Sequence, residues 1–207
     1  MARAVAFPEL PTPRLNLRRI ERGNAEALHA CLGDADCMRY WNMPATTSVT
    51  ETADLIVKWL GKTTSPYDHM AWAVTEVESD RCIGMVNYHH REAGNRRLEI
   101  GYVIAPRHQG KGFGREAVAA LIDHCSGPLG VHRIDALIEP DNLASIALAE
   151  SLGFRCEGGP LSDYWRVGER WLSPMIYARI GGAPSYEMGY LTESSSSATP
   201  RTRRRTP

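Results

Sequence analysis

The sequence has no long apolar run, no excess of charge of one sign and few aromatic side chains. Lys and Arg together number 24, as do Asp and Glu, so the formal net charge is zero. A neutral chain has no overall attraction to nucleic acid or to an anionic membrane. No apolar stretch approaches the roughly 20 residues that span a bilayer, and the first residues lack the apolar core of a secretory signal. We therefore expect a cytoplasmic protein with neither a membrane nor a nucleic-acid partner.

Cysteine is scarce and its spacing suggests no cross-link. The five cysteines are widely separated, odd in number and include no Cys-x-x-Cys pair, and the seven histidines show no ligand spacing. Adjacent His89 and His90 would face opposite sides of a strand. These patterns predict reduced thiols and no bound metal.

The length and composition fit one folded domain followed by a tail. With 207 residues, 43% hydrophobic and 23% charged, the chain can form a substantial core. We expect that domain to cover residues 1–180. Residues 181–207 contain Gly-Gly, a run of four serines and an Arg-rich end, which predicts a disordered tail. Its basic end is the one segment that suggests contact with nucleic acid.

Periodicity predicts a mixed α/β protein. Strand-like runs separated by turns at 78–81 and 93–95 indicate an antiparallel meander of strands at 70–77, 82–88 and 98–104. A helix begins near Arg115, and Ile134–Ile138 forms the next strand, giving a β-loop-α-β unit. Asp141 or Asn142 caps a further helix, and residues 171–180 form the last strand.

The glycine-rich segment from Gln109 to Gly114 is the most informative part of the chain. It joins a predicted strand to a predicted helix and has glycine at every second position from 110 to 114. Bare backbone at a helix N-terminus presents amide N–H groups and the positive end of the helix dipole to an anion. We therefore expect a cofactor that carries phosphate.

The sequence patterns of two known kinds of phosphate-binding loop do not match this segment. A Walker loop requires Ser or Thr after Gly-Lys, whereas Gly112 follows Lys111. A dinucleotide fold requires Gly-x-Gly-x-x-Gly and alternating strands and helices. Here the pattern is Gly-x-Gly-x-Gly after a β-meander, and Asp135 lies inside its strand rather than at the strand's end.

The third alternative is a family resemblance. The pattern Ile104-x-Pro106-x-x-Gln109-x-x-Gly112-x-Gly114 resembles the acetyl-coenzyme A (acetyl-CoA) signature of the GNAT superfamily of N-acetyltransferases. Four further segments resemble the branch that includes ribosomal-protein N-terminal acetyltransferases: residues 13–18, 36–41, 98–102 with 115–117, and 142–154. The resemblance therefore spans residues 10–180.

This resemblance implies a fold and a donor site. The fold would be a GNAT-like, mixed α/β (α+β) arrangement with a central, largely antiparallel sheet. Two parallel strands of that sheet would splay apart in a V, and helices would flank it. Acetyl-CoA would be the donor, without a metal, and Asn142 would bind its pantetheine, although Asn142 is equally suited to cap a helix. The remaining donor-binding residues implied are Tyr102, Val103 and Ile104 along the pantetheine, and Gln109, Gly110, Lys111, Gly112, Phe113 and Gly114 around the pyrophosphate.

Two residues are candidates for catalysis. An attacking amine must lose a proton, and Glu99 is placed to accept it through water. Its alternative role is to anchor the loop or bind the substrate's ammonium group. Ser145 would stabilise or protonate the departing thiolate, or else it bonds only to its own helix. Glu139 and Tyr164 are weaker candidates for the base.

The sequence leaves the acceptor open. A primary amine is implied, either a protein N-terminal α-amine or a small molecule, with Trp41, Trp72 and Trp165 as pocket or core residues. Residues 172–175 lack the aspartate expected in the branch, which argues against a protein N-terminus. Homodimers are common in that branch. A non-catalytic acyl-CoA sensor is the alternative from another class.

Overall fold

Ten strands and four α-helices make up the part of the chain that the structure describes. The computed structural model describes residues 7–62 and 68–181. The strands are β1 Leu10–Pro11, β2 Leu15–Arg19, β3 Met70–Glu76, β4 Cys82–Glu92, β5 Arg97–Ile104, β6 Arg133–Ile138, β7 Arg155–Gly158, β8 Trp165–Val167, β9 Arg170–Leu172 and β10 Met175–Ile180. The helices are α1 Ala25–Leu32, α2 Val49–Lys62, α3 Phe113–Ser126 and α4 Leu143–Ser151.

Eight strands form one sheet in the order β1-β2-β3-β4-β5-β6-β10-β7. Every neighbouring pair is antiparallel except β5 and β6, which are parallel. Their register covers only residues 97–99 of β5 opposite 133–135 of β6. Beyond these residues the two strands diverge and open a slot. The predicted fold class, including the V-shaped splay, is confirmed.

Each face of the sheet has its own core. On one face, α3 contributes Val118, Leu121, Ile122 and Cys125, whose i, i+3, i+4, i+7 spacing places them on one side of the helix. On the other face, α1 and α2 cover a second apolar cluster with residues such as Leu28 and Ile56. Trp72 is fully buried in the first core, so it is a core residue and not part of a pocket.

The predicted meander is confirmed as β3, β4 and β5, but two local expectations are wrong. The segment 171–180 is two strands, because Ser173 and Pro174 interrupt it and β9 pairs with β8 instead. The two adjacent histidines do not face opposite sides. A register shift follows His89, and His90 adopts a left-handed backbone with φ of 50°, so both rings turn toward the same residue.

Residues 182–207, almost the whole predicted tail, lie outside the described part of the chain. In the part that is described, no helix combines the length and apolarity needed to cross a membrane. All five cysteines fall within it and none forms a disulfide.

Candidate active site in the sheet slot

The slot between β5 and β6 opens into a cavity of about 1460 Å³. Residues of the loop before α3 and of the long connection between α1 and α2 both line the cavity. Of the predicted site residues, ten line the cavity: Glu99, Tyr102, Val103, Ile104, Gln109, Gly110, Gly112, Gly114, Asn142 and Ser145.

The glycines of the loop have backbone conformations that explain their presence. Gly110 and Gly112 are left-handed, with φ of 72° and 80°, and Gly112 is the residue at the N-cap of α3. At Gly114 a Cβ atom would lie 3.2 Å from Leu148 Cδ1, so glycine allows α3 to approach α4 closely. The loop therefore brings backbone amides and the N-terminus of a 14-residue helix to the cavity.

Two residues of the predicted loop lie outside the cavity lining. Lys111 and Phe113 do not line the cavity. The carbonyl of Lys111 accepts a hydrogen bond of 3.0 Å from Arg14 Nη1, and the guanidinium of Arg14 lies 4.6 Å from the centre of the Phe113 ring. The Phe113 ring is therefore packed against Arg14 and not against the cavity.

Arg14 holds the loop through Glu116 as well. The guanidinium of Arg14 binds Glu116 Oε2 at 2.6 Å, and the Thr12 hydroxyl donates to Oε1 at 2.6 Å. Burial opposes ionisation of Glu116, but the hydrogen bonds from Thr12 and Arg14 outweigh it and lower the pKa of this carboxyl. These residues fix the first turn of α3 to β2. Sequence reasoning missed this clamp.

The backbone of β5 is oriented for an added strand. The amide of Ala105 donates to the carbonyl of Ile83 on β4. Because hydrogen bonding alternates along an antiparallel pair, Tyr102 and Ile104 turn their backbone polar groups to the slot, whereas those of Val103 face β4. The Ile104 carbonyl already accepts a 2.8 Å hydrogen bond from Gln109 Nε2, which leaves its N–H toward the slot.

Asn142 and Ser145 meet at the start of α4. The Asn142 side-chain oxygen accepts a hydrogen bond of 3.2 Å from the Ser145 amide, so Asn142 is the helix cap. The Tyr102 hydroxyl reaches across the slot and donates to the Ser145 carbonyl at 3.3 Å. Burial raises the pKa of the Tyr102 hydroxyl. The predicted cap is confirmed, and the amide nitrogen of Asn142 is not used by the cap.

Glu99 is held between two histidines where the parallel strands separate. Its Oε2 lies 3.3 Å from His89 Nε2, and its Oε1 lies 3.2 Å from His90 Nδ1. Desolvation raises the pKa of Glu99, but the hydrogen bonds and charge interactions with both histidines outweigh it, so the net shift is downward. Glu99 is therefore a carboxylate at neutral pH, at the mouth of the slot.

Comparison with known proteins assigns this architecture. A family model described as "Acetyltransferase (GNAT) domain" matches residues 14–155. The chain belongs to the GNAT acetyltransferases. It is 33% identical over 171 residues to an uncharacterized N-acetyltransferase, p20, of Bacillus licheniformis, covering 83% of this chain and 95% of the relative.

Two further comparisons concern proteins of named activity. Spermidine N(1)-acetyltransferase of Vibrio cholerae is 30% identical over 161 residues, which cover 75% of this chain and 87% of the relative. The solved structure of RimL, a ribosomal L7/L12 alpha-N-protein acetyltransferase in complex with coenzyme A, has a TM-score of 0.73 at 22% identity. It aligns with 84% of this chain and 98% of its own, a likeness of fold. The recognised resemblance is thereby confirmed, and this GNAT protein is an acetyl-CoA-dependent N-acyltransferase.

Other candidates are distributed between the cavity and the surface of this GNAT domain. Glu139 lines the cavity, and burial raises the pKa of its carboxyl. Trp41 and Trp165 also line it. Tyr164 is exposed, and its ring lies edge-on to Trp165 with the centroids 5.3 Å apart.

The structure gathers an acidic surface that the sequence did not reveal. Six carboxylates line the cavity, against three basic side chains. The acidic residues are Asp36, Glu51, Asp54, Asp68, Glu99 and Glu139, and the basic ones are Lys58, Arg91 and Arg115. The six acidic residues come from five separate segments, so no local charge run marks the patch. Tyr40, whose hydroxyl donates to the Asp141 carbonyl at 3.2 Å, ties the α1–α2 connection to the start of α4.

Proposed function

We propose that this GNAT enzyme acetylates a primary amine of a small, cationic molecule by direct attack on acetyl-CoA. The excess of carboxylates around the cavity is the observation that carries this proposal. A polycation such as a polyamine gains from a surface of this sign, both in encounter rate and in orientation. Spermidine is the substrate named for the Vibrio cholerae relative.

On the donor side, the proposal uses the loop and the slot. The pyrophosphate sits on the amides of residues 109–114, where left-handed glycines permit close approach. The pantetheine lies along β5 and pairs with the slot-facing groups of Tyr102 and Ile104. The free amide nitrogen of Asn142 donates to it from the other wall. Lys111 and Phe113 contribute through their backbone.

The chemistry needs three groups. The amine nitrogen attacks the thioester carbonyl carbon, the C–S bond breaks, and coenzyme A leaves as a thiolate. A slot-facing N–H near Ile104 stabilises the oxyanion formed on the way. Glu99 accepts the amine proton through a water molecule, because its two oxygens already contact His89 and His90. Ser145 stabilises the departing sulfur.

The first experiment tests whether Glu99 acts as the base in turnover without contributing to donor binding. Glu99→Gln should lower kcat by about 100-fold or more, since proton transfer by a positioned group contributes that much. Acetyl-CoA affinity, measured by calorimetry, should stay at the wild-type value. Glu139→Gln is the matched control, because it removes another partly buried carboxylate of the same cavity. A Glu99→Gln enzyme with wild-type turnover would rule out Glu99 as the base.

The identity of the acceptor is tested by comparing kcat/KM for two kinds of amine substrate. kcat/KM should be higher for spermidine than for a peptide with a free N-terminus, and it should fall with added salt as the attraction is screened. Asp54→Asn and Asp68→Asn, on the cavity wall, should raise KM for spermidine and leave kcat unchanged. A preference for the peptide would favour a protein N-terminal amine instead.

A further inference from the structure

We propose that His89, His90 and Glu99 form a binding site for a divalent transition-metal ion such as Zn²⁺. The three residues lie outside the donor-binding loop, at the mouth of the slot. Their candidate ligand atoms all lie within 4.8 Å of one another. Two imidazoles and one carboxylate are a ligand set that zinc uses in proteins when its fourth position is left open.

Two of the distances are close to those around a metal ion. Glu99 Oε2 is 3.3 Å from His89 Nε2, and Oε1 is 3.2 Å from His90 Nδ1. A tetrahedral site with metal–ligand bonds of about 2.0–2.1 Å has ligand atoms about 3.3–3.4 Å apart. Each imidazole nitrogen is already that far from one oxygen of the carboxylate, and rotation of the side chains brings the ligand atoms, now within 4.8 Å of one another, around one ion.

The backbone explains how neighbouring histidines converge. In a regular strand they would face opposite sides of the sheet. The left-handed conformation of His90 and the register shift after His89 turn both rings to Glu99, and their centroids are 4.7 Å apart. A non-glycine residue with positive φ costs free energy, and such positions concentrate at functional sites.

The exposure of the three side chains and the charge of Glu99 also favour binding of a cation. The side chains of Glu99 and His89 are 16% and 27% exposed and that of His90 is 70% exposed, so an ion can enter from solvent and keep a water ligand. Asp135, beside Glu99 on β6, is paired with Arg133 at 2.7 Å. The Glu99 carboxylate supplies the cluster with a negative charge.

Occupancy would regulate the enzyme, an effect that rests on the proposed function. A metal bound to Glu99 takes the carboxylate away from proton transfer and fills the amine's entry path. Zn²⁺ should therefore inhibit by competing with the amine and not with acetyl-CoA. Initial rates must be used, because the thiol of released coenzyme A also binds Zn²⁺.

The deciding measurement is direct binding, which does not depend on turnover. Untagged protein freed of metal by a chelator should bind one equivalent of Zn²⁺ by calorimetry, and Co²⁺ should give the visible absorption of a tetrahedral site. His90→Gln and Glu99→Gln should each weaken binding at least about tenfold, since one of three ligands is lost. His132→Gln removes an exposed histidine outside the cluster and should bind as wild type.

Two results would overturn the metal site. Absence of Zn²⁺ binding by folded wild-type protein would leave the cluster as a hydrogen-bonded support for Glu99. Undiminished binding in both cluster variants would place the ion elsewhere, for example on the exposed thiol of Cys156. Binding without detectable acetyl transfer would instead contradict the proposed function and leave the metal site standing.

Discussion

Gly112 has a structural role in the backbone and a proposed role in donor binding. Its left-handed backbone begins α3, and it lines the cavity where the pyrophosphate is proposed to sit. Gly112→Glu should lower acetyl-CoA affinity at least about 100-fold, because it adds a negative charge and strain at an anion site. Calorimetric titration measures this loss.

The matched control for that variant is Gly168→Glu. Gly168 is also left-handed, with φ of 62°, but it lies in the turn between β8 and β9 with no atom within 4 Å of an added Cβ. The control carries similar backbone strain and should bind acetyl-CoA as wild type. Equal binding by both variants would contradict the proposed pyrophosphate position.

Asn142 has a structural role and a proposed binding role that substitution can separate. Serine caps helices about as well as asparagine, whereas alanine costs about 1 kcal/mol. Asn142→Ser should therefore keep the unfolding free energy but weaken acetyl-CoA binding, because it lacks the amide nitrogen. Urea unfolding and calorimetry measure the two effects. Full donor affinity in Asn142→Ser would leave capping as the role of Asn142.

Residue roles were predictable where the determining interactions are local. The cap at Asn142 acts three residues along the chain, and the loop glycines act through their own backbone. The contacts of Glu99 were not predictable, since they depend on the bulge in β4. Trp72 could not be assigned to the core until the sheet placed it under α3.

At the scale of elements, the clamp between β2 and α3 makes a specific prediction about pH. Glu116→Gln should destabilise the fold by about 1 kcal/mol at neutral pH, because it removes a carboxylate that accepts several hydrogen bonds. The pKa of Glu116 is lowered in the folded state. Its stabilisation is complete above the unfolded-state pKa of about 4.3 and disappears as the pH falls through the lower folded-state value.

Urea unfolding at neutral and acidic pH tests this sign. The difference in unfolding free energy between wild type and Glu116→Gln should shrink as the solution is acidified. Glu169→Gln, in the exposed turn between β8 and β9, should show no such change. A difference that grows in acid would contradict the assigned role of the clamp.

Strands and helices were predicted well where the local sequence signal is strong. The strands of the meander are short, largely buried runs separated by turns, and α3 repeats its apolar residues at helical spacing. The clamp could not be predicted, because Arg14 and Glu116 are 102 residues apart and nothing in either segment specifies the other. The break before β10 follows from Pro174, whose effect depends on which strand lies alongside.

At the scale of the whole molecule, the domain boundary near residue 180 stays a prediction. A chain ending at Gly181 should keep the wild-type melting temperature and acetyl-CoA affinity, because every described core and cavity residue precedes that point. Thermal denaturation and calorimetry check both. Loss of either would assign residues 182–207 to the folded domain.

A homodimer also stays a prediction. Sedimentation, which gives the mass of the particle in solution, measures the oligomeric state.

Because the parallel pairing of β5 with β6 is short, the hydrogen bonding of the sheet is incomplete between these two strands. Only three residue pairs join its two halves before the strands part, and beyond them alternate peptide groups of β5 point into the gap. In the proposed complex, a donor lying in this gap pairs with β5 as an added strand. Donor binding should then slow solvent hydrogen exchange at the amides of Tyr102 and Ile104, whereas the amide of Val103 is already protected by β4 in the free protein. The coenzyme would thus complete the hydrogen bonding of the sheet, and the slot should be most rigid when the donor is bound.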